Sequence, residues 1–195
     1  MGSNPSTSTS TKEIIMTNLQ LSKLLSYVLR HKPADIGITL TEDGWTDIAD
    51  VIAGIERHKG VLIRYNQIID VVRECDKQRY QVSVDGVRIR AVQGHSIPDI
   101  KLEYKPANPP ADLWHGTAER FIPSIMNLGL LPQTRNHVHL SDDPDIARIV
   151  GSRHGTPQLI VIDVNPMLLD GFEFFQATNG VWLCDHVPAK YLTLK

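Results

Sequence analysis

Residues 79–92 read RYQVSVDGVRIRAV. Apolar residues alternate on either side of Asp85-Gly86, a two-residue turn signal, so the stretch predicts a β-hairpin. In that register Val84 faces Val87, Val82 faces Ile89 and Tyr80 faces Ala91. One face is then apolar and buried, and the other collects Arg79, Gln81, Ser83, Arg88 and Arg90. Three arginines with no acid among them suit an anion platform. A solvated outer face is the plainer alternative.

Upstream of the hairpin, Leu21, Leu24, Leu25, Val28 and Leu29 recur at helical spacing and predict a helix over 19–31, ended by Pro33. A second helix is expected from a cap at Thr46, burying Ile48, Val51, Ile52 and Ile55. A third, from about Asn66 to Cys75, buries Ile68, Ile69 and Val72. Three helices followed by a hairpin is the order of a winged-helix module, an analogy of fold alone. Residues 98–110, PDIKLEYKPANPP, contain four prolines and suit a linker with one short strand. Beyond it, strands are expected near 112–115, 137–140, 159–164 and 181–184, with helices near 119–128 and 143–151. The fold class is therefore α+β. The division reads 1–15 tail, 16–97 amino-terminal lobe, 98–110 linker and 111–195 carboxy-terminal lobe.

The 195 residues suffice for two small cores, and 42% apolar with 22% charged residues is ordinary for a globular protein. No apolar run approaches the ~20 residues of a membrane span. Residues 1–15 begin polar and low in complexity, so they read as a disordered tail or cloning remnant, with Met16 as the natural start. Two cysteines without CxxC point to a reducing, cytoplasmic setting and away from structural zinc. Residues 16–97 carry 11 Lys and Arg against 10 Asp and Glu, and residues 98–195 carry 8 against 11. Bulk charge is too small to hold nucleic acid, so any phosphate must be met by a few placed cations. No further apolar stripe demands a partner, and a monomer is expected.

Several short motifs carry donors. In RNHVHLS, 135–141, a strand puts Arg135, His137 and His139 on one side. Such an HxH pair can bind zinc, hold phosphate, line a nucleotide pocket or form a polar edge. LWHGT, 113–117, and QGHS, 93–96, each join glycine to hydrogen-bonding side chains. In LWHGT the glycine could admit a ligand close to the backbone, or serve a simple turn. The acids at Asp43 and Asp47, and at Asp142, Asp143 and Asp145, suit helix starts. Arg30, His31 and Lys32 end the first helix. One cation would offset the helix dipole, whereas three beside an arginine-faced hairpin suggest an anion site. GxGxxG after a strand and GxxxxGK[ST] are both absent.

Together the stretches LSKLLSYVLRHKPADIGITLTEDGWTDIADVI, DKQRYQVSVDGVRIRAVQGHS, LWHGT, GLLPQTRNHVHLS and NGVWL resemble the NAD-dependent RNA 2′-phosphotransferases associated with tRNA splicing. They occur in that family's order over about residues 19–192. The resemblance implies a winged-helix-like lobe that binds RNA and an ADP-ribosyltransferase-fold lobe that binds NAD without a Rossmann motif. It implies that an internal RNA 2′-phosphate attacks NAD, giving nicotinamide and a 2′-phospho-ADP-ribosylated RNA. A ribose hydroxyl then attacks the phosphorus, leaving 2′-OH RNA and ADP-ribose 1″,2″-cyclic phosphate. The family's catalytic set falls on Arg30, His31, Arg79 and Arg135, and its NAD residues on His115, Gly116, Thr117, His139, Ser141 and Val181. NAD is consumed as co-substrate and no metal is implied. Val181 stands where many protein-modifying relatives keep a glutamate, which argues against a protein acceptor. The rival readings are a metal-dependent phosphoesterase built on His137 and His139, and a non-catalytic winged-helix binder.

Overall fold

A computed structural model describes residues 16–195, so the expected tail at 1–15 lies outside the described residues. The chain combines short helices with small antiparallel sheets. Helix α1 (Asn18–Val28) opens with a capping box between Thr17 and Gln20 and buries Leu21, Leu25 and Val28. Such a cap stabilises a helix by about 1 kcal/mol. The helix ends earlier than its periodicity suggests. Its last turn holds no basic residue, and the Tyr27 carbonyl accepts from both His31 N, at 2.9 Å, and Lys32 N, at 3.2 Å. Arg30 and His31 therefore sit in the closing turn beyond α1, not on its final helical turn.

The second helix also starts differently. Thr41 N donates to the Trp45 carbonyl and Gly44 N to the Thr41 carbonyl, closing the DGW turn. Thr46 is then extended in β1 (Thr46–Asp47), opposite Ile89, and does not cap. Asp47 stands at the N-cap of α2 (Ile48–Lys59) with no side-chain bond. This helix buries Ile48, Val51 and Ile55, with Ile52 half-buried. Helix α3 (Tyr65–Arg73) buries Ile68 and Val71, while the expected Ile69 and Val72 are only half-buried.

Strands β2 (Tyr80–Val82) and β3 (Arg88–Ala91) pair Tyr80 with Ala91 and Val82 with Ile89, the expected register. The tip is wider than a two-residue turn. Ser83 N donates to the Arg88 carbonyl, and Gly86 N, at φ +76°, to the Ser83 carbonyl. Val84 and Val87 consequently stand exposed at the tip, not in the buried face. The outer arginines do not form one platform either. Arg88 and Arg90 lie over the Trp45 ring at 5.4 and 4.6 Å, and Arg90 donates to Gln81 Oε1 and the Asp43 carbonyl. Arg79 instead reaches Cys75 Sγ at 3.7 Å. The hairpin and β1 form one three-stranded sheet over a core that includes Leu21, Leu25, Ile36, Ile55, Ile68 and Ile89.

A second apolar cluster gathers residues from Leu113 to Leu192. Strand β4 (Asp112–Ala118) is followed by a 3₁₀ turn and helix α4 (Ile122–Leu128), then β5 (Val138–Leu140) and helix α5 (Pro144–Gly151). Asp143 caps α5, accepting from Asp145 N and Ile146 N at 2.8 and 3.2 Å. Strand β6 (Pro157–Asp163), helix α6 (Val164–Leu169), the β7–β8 hairpin (Phe175–Gln176, Trp182–Cys184) and β9 (Leu192–Leu194) complete the chain. The sheets run β4-β6-β9 and β5-β8-β7, joined where Trp114 and Ser141 exchange backbone bonds. Short α6, β7 and β9 escaped the sequence reading because each spans too few residues to show a period. The outer side of α5 leaves Ile146, Ile149 and Val150 exposed, an apolar stripe the sequence reading did not anticipate.

The segment 98–110 is tied to both clusters. Lys101 N donates to the Glu42 carbonyl, Tyr104 Oη to the Val92 carbonyl and Ala107 N to the Phe174 carbonyl. Among the described residues no helix is long and apolar enough to cross a membrane.

Candidate functional site

The turn after α1 is held by the chain leaving the hairpin. Ser96 N donates to the Arg30 carbonyl at 3.0 Å, and the Ser96 hydroxyl lies 2.9 Å from His31 Nδ1. Gly94 has φ +83°, and a Cβ there would meet His139 Cε1 at 3.5 Å and Arg30 Cδ and Nε at 3.8 Å. Arg30 and His139 thus face each other across the space a side chain at 94 would fill. Arg30 donates through Nη1 to Ser26 Oγ at 3.3 Å, but its buried Nε and Nη2 find no partner among the described residues. Unpaired guanidinium nitrogens in a buried position are costly, so such an arrangement marks a ligand site better than a structural one.

The other wall comes from β5 and the loop before it. Val138 and Leu140 are buried and His139 turns to the opposite side, as the alternation predicts. Arg135 Nη1 lies 2.6 Å from His139 Nδ1. Asn136 N donates to the His95 carbonyl and its Nδ2 to the Ile100 carbonyl, fastening this loop to the segment that also holds Arg30. A cavity of about 460 Å³ opens here, lined by Gly94, His95, Tyr104, Asn136, His137 and His139 among others. That volume falls within the range of small-molecule sites, about 300–1,000 Å³. His137 sits between the rings of Tyr104 and Phe175, edge-on to both at 5.6 and 6.1 Å. His137 Nε2 lies 3.8 Å from Asp185 Oδ1, and the Arg135 guanidinium stands at Nδ1 of His139. Among the described residues no three His, Cys, Asp or Glu side chains gather as metal ligands do.

Cations dominate the electrostatics. Burial lowers the Arg30 pKa to about 10; Tyr80 acts against that shift, and the charges of Arg79 and Arg135 add to it. His139 is lowered to about 3, chiefly by burial and then by Arg135 and Arg30. His95 is lowered to about 4 by burial, Arg30, His31 and Arg90. His31 is also lowered, by burial and by Arg30 and Arg135. Burial and then Arg153 lower Arg135, and burial, Arg153 and Arg79 lower Lys77, whose carbonyl accepts from Asn179 Nδ2 at 3.1 Å. Among the described residues no carboxylate acts on these groups, although at neighbouring His137, lowered by burial, the Asp185 carboxylate 3.8 Å from Nε2 acts to raise the pKa. At neutral pH the site presents charged guanidiniums beside neutral imidazoles, a match for a phosphate that brings its own charge.

This sets a pH dependence of stability. Unfolded histidine titrates near about 6.5, well above His139 and His95 in the fold. Below that pH the unfolded chain takes up protons that the folded chain refuses, so stability is present above about 6.5 and drains away as pH falls. Thermal melts should show Tm falling steadily from pH 6.5 to 5, before most carboxylates titrate. The fall should be shallower in His139→Gln. A flat Tm across that interval would contradict the buried, neutral state of these rings.

The residues expected to bind NAD divide in two. His139 lines the cavity, and Ser141 and Val181 lie just beyond the Leu140–Trp182 pair, in register to share its side of the β5–β8 sheet. His115, Gly116 and Thr117 do not line it. The His115 ring bonds the His139 carbonyl at 3.1 Å from behind, and burial lowers its pKa. Thr117 is buried. A Cβ on Gly116 would lie 1.6 Å from the Ala147 carbonyl oxygen, so this glycine lets α5 press on β4. Arg30 and His31 are both held by Ser96, and the charges of Arg79 and Arg135 act on Arg30. Tyr104 and Asn136 escaped the sequence reading. Tyr104 lies in a segment read as linker, and Asn136 separates two residues that drew attention by their charge.

The guanidiniums of Arg30 and Arg135, set against Gly94 and His139 at the margin of the cavity and beside neutral imidazoles, suit one class of site, that for a phosphorylated substrate. The chain belongs to the RNA 2′-phosphotransferase family, whose model, described as "RNA 2'-phosphotransferase, Tpt1 / KptA family", matches residues 16–186. That membership makes it a transferase with RNA as substrate. Among similar proteins is the probable RNA 2′-phosphotransferase of Pseudomonas aeruginosa PAO1, 51% identical over 171 residues, which are 88% of this chain and 93% of that one. Those of Burkholderia lata and Agrobacterium fabrum are 49% and 47% identical over 173 residues, 89% of this chain in each case and 89% and 92% of theirs.

Proposed function

We propose that the protein transfers an internal RNA 2′-phosphate to NAD. The observation that carries the phosphate site is the buried Arg30 guanidinium, with Nε and Nη2 unpaired and no carboxylate acting on it. In the first step a nonbridging oxygen of the 2′-phosphate attacks C1″ of the nicotinamide ribose. The C1″–N bond breaks and nicotinamide leaves neutral. The phosphate is already ionised, so Arg30, Arg79 and Arg135 act mainly by holding it in line. In the second step O2″ of the resulting 2′-phospho-ADP-ribosylated RNA attacks phosphorus, the P–O2′ bond breaks, and ADP-ribose 1″,2″-cyclic phosphate departs from 2′-OH RNA. His31 takes the O2″ proton and returns one to O2′. The arginines stabilise charge on the nonbridging oxygens.

NAD fits the donor set. Tyr104 and His137 offer aromatic edges and Asn136 amide groups, while Lys101 and Arg135 offer charge near the cavity. On this reading His115 supports His139, and residues 111–195 form an ADP-ribosyltransferase-type lobe, for which the two sheets meeting at β4 and β5 speak. Residues 16–97 form a winged-helix-like lobe that brings RNA to Arg30, Arg79 and His31. The test is to incubate an RNA oligonucleotide carrying one internal 2′-phosphate in EDTA, with and without NAD. Nicotinamide and the cyclic phosphate should appear only with NAD. Release of inorganic phosphate without NAD would overturn the reading in favour of a phosphoesterase.

A further inference from the structure

The segment Gly94–Ser96 touches every wall of the site. Gly94 lies against Arg30 and His139, the His95 carbonyl accepts from Asn136 N, and Ser96 engages Arg30 through its backbone and His31 through its hydroxyl. The Ser96 hydroxyl is the one polar side chain within bonding distance of the His31 ring among the described residues, at Nδ1. The Tyr27 ring is the near aromatic neighbour, 6.4 Å away, and its own hydroxyl is committed to Asp35.

We infer that Ser96 is a positioning residue that fixes the tautomer of His31: its oxygen accepts from Nδ1–H, leaving Nε2 bare and aimed as the base. This rests on the two-step reading above. A histidine that must accept a proton at one nitrogen needs the other nitrogen held as a donor. In serine proteases a buried aspartate does this. Here an aspartate would cancel charge the phosphate needs, and a neutral hydroxyl does not. When His31 Nε2 takes the O2″ proton, the imidazolium forms among Arg30, Arg135 and the neutral His95, with no acid to stabilise it. The Ser96 oxygen remains bonded to Nδ1–H throughout. The imidazolium therefore stays acidic and passes its proton readily to the departing O2′. The proton count closes, because the proton lost by O2″ is the proton gained by O2′.

Three variants and two readouts test this. Nitrogen-15 NMR of histidine-labelled protein, with His31 assigned by its loss in His31→Asn, should show Nδ1 protonated and Nε2 bare at pH 7.5. Ser96→Ala should populate the other tautomer, and Ser96→Thr, which keeps the hydroxyl, should restore it. In single turnover with 2′-phosphorylated RNA and NAD, Ser96→Ala should slow the second step by about 10- to 100-fold, the scale on which losing a histidine's orienting partner acts. Nicotinamide release should stay near wild type, and the acidic limb of the second-step pH profile should move to lower pH. Ser96→Thr should recover both rate and profile. Protonated Nε2 in the wild type, or an unchanged second-step profile in Ser96→Ala, would overturn the assignment. Absence of any NAD-dependent product from the wild type would instead sink the functional reading, and the NMR arm would still decide the tautomer.

Discussion

Replacing Arg30 with methionine should make the protein more stable and all but inactive. Its guanidinium is buried with Nε and Nη2 unpaired, holds only Ser26 Oγ at 3.3 Å, and lies near two further arginines. Burial above all, and then the neighbouring arginines, disfavour the charge and outweigh Tyr80, so the pKa falls to about 10. A methionine keeps most of the apolar stem that passes Gly94 and removes the desolvated charge. Exchange of poorly paired buried charges for apolar groups of similar volume is often stabilising by about 1–4 kcal/mol. At the low end, Tm should rise by about 2–4 °C in a chain of this size.

Activity should move the other way. Loss of one preorganised donor to a developing oxyanion lowers rate about 10²–10³-fold. Arg30→Lys should recover little, since an ammonium restores charge but not the flat two-nitrogen fork. Thermal melts and single-turnover rates on the same preparations check both halves. A lower Tm in Arg30→Met would show that the guanidinium is better satisfied than its bonds indicate. A rate within tenfold of wild type would show that the phosphate is held elsewhere. The opposition of the two effects is the mark of a site kept for function at the expense of the fold.

The sequence displayed the long-period features well. Leu21, Leu25 and Val28 announced α1, and the alternation through Tyr80, Val82, Ile89 and Ala91 set the hairpin register. It did worse where one backbone bond decides the outcome. Whether α1 runs to His31 depends on the Tyr27 carbonyl accepting from residues 31 and 32, and no periodicity reveals that. Thr46 has the chemistry of a cap, but pairing with Ile89 outweighed that propensity. The three hairpin arginines looked alike because alternation assigns only a face. Trp45, distant in sequence from the hairpin, then claims Arg88 and Arg90, while Arg79 turns to Cys75 Sγ. Arg30, His31, Arg135 and His139 were legible as chemistry. Their convergence depends on Gly94 and Asn136, whose contributions are a missing side chain and two backbone-directed bonds.

Gly116→Ala separates packing from ligand approach at the most glycine-dependent point of the chain. Here β4 and α5 touch backbone to backbone: a Cβ on Gly116 would sit 1.6 Å from the Ala147 carbonyl oxygen, and one on Gly151 would sit 2.8 Å from Thr117 N and O. No rotamer relieves such an overlap, because both partners are main chain. The strand and helix must part, and β4 is held on its other edge by seven paired residues of β6. Overpacking of this kind costs about 3 kcal/mol or more. Tm should therefore drop by roughly 6–12 °C. If Gly116 instead keeps room for NAD, Gly116→Ala should melt like wild type and lose only NAD affinity. The strand's displacement would carry His115 with it, and through the His115–His139 carbonyl bond it would disturb the ring facing Arg30. Any loss of activity should then accompany the loss of stability, and cooling the assay below the lowered melting transition should restore part of it.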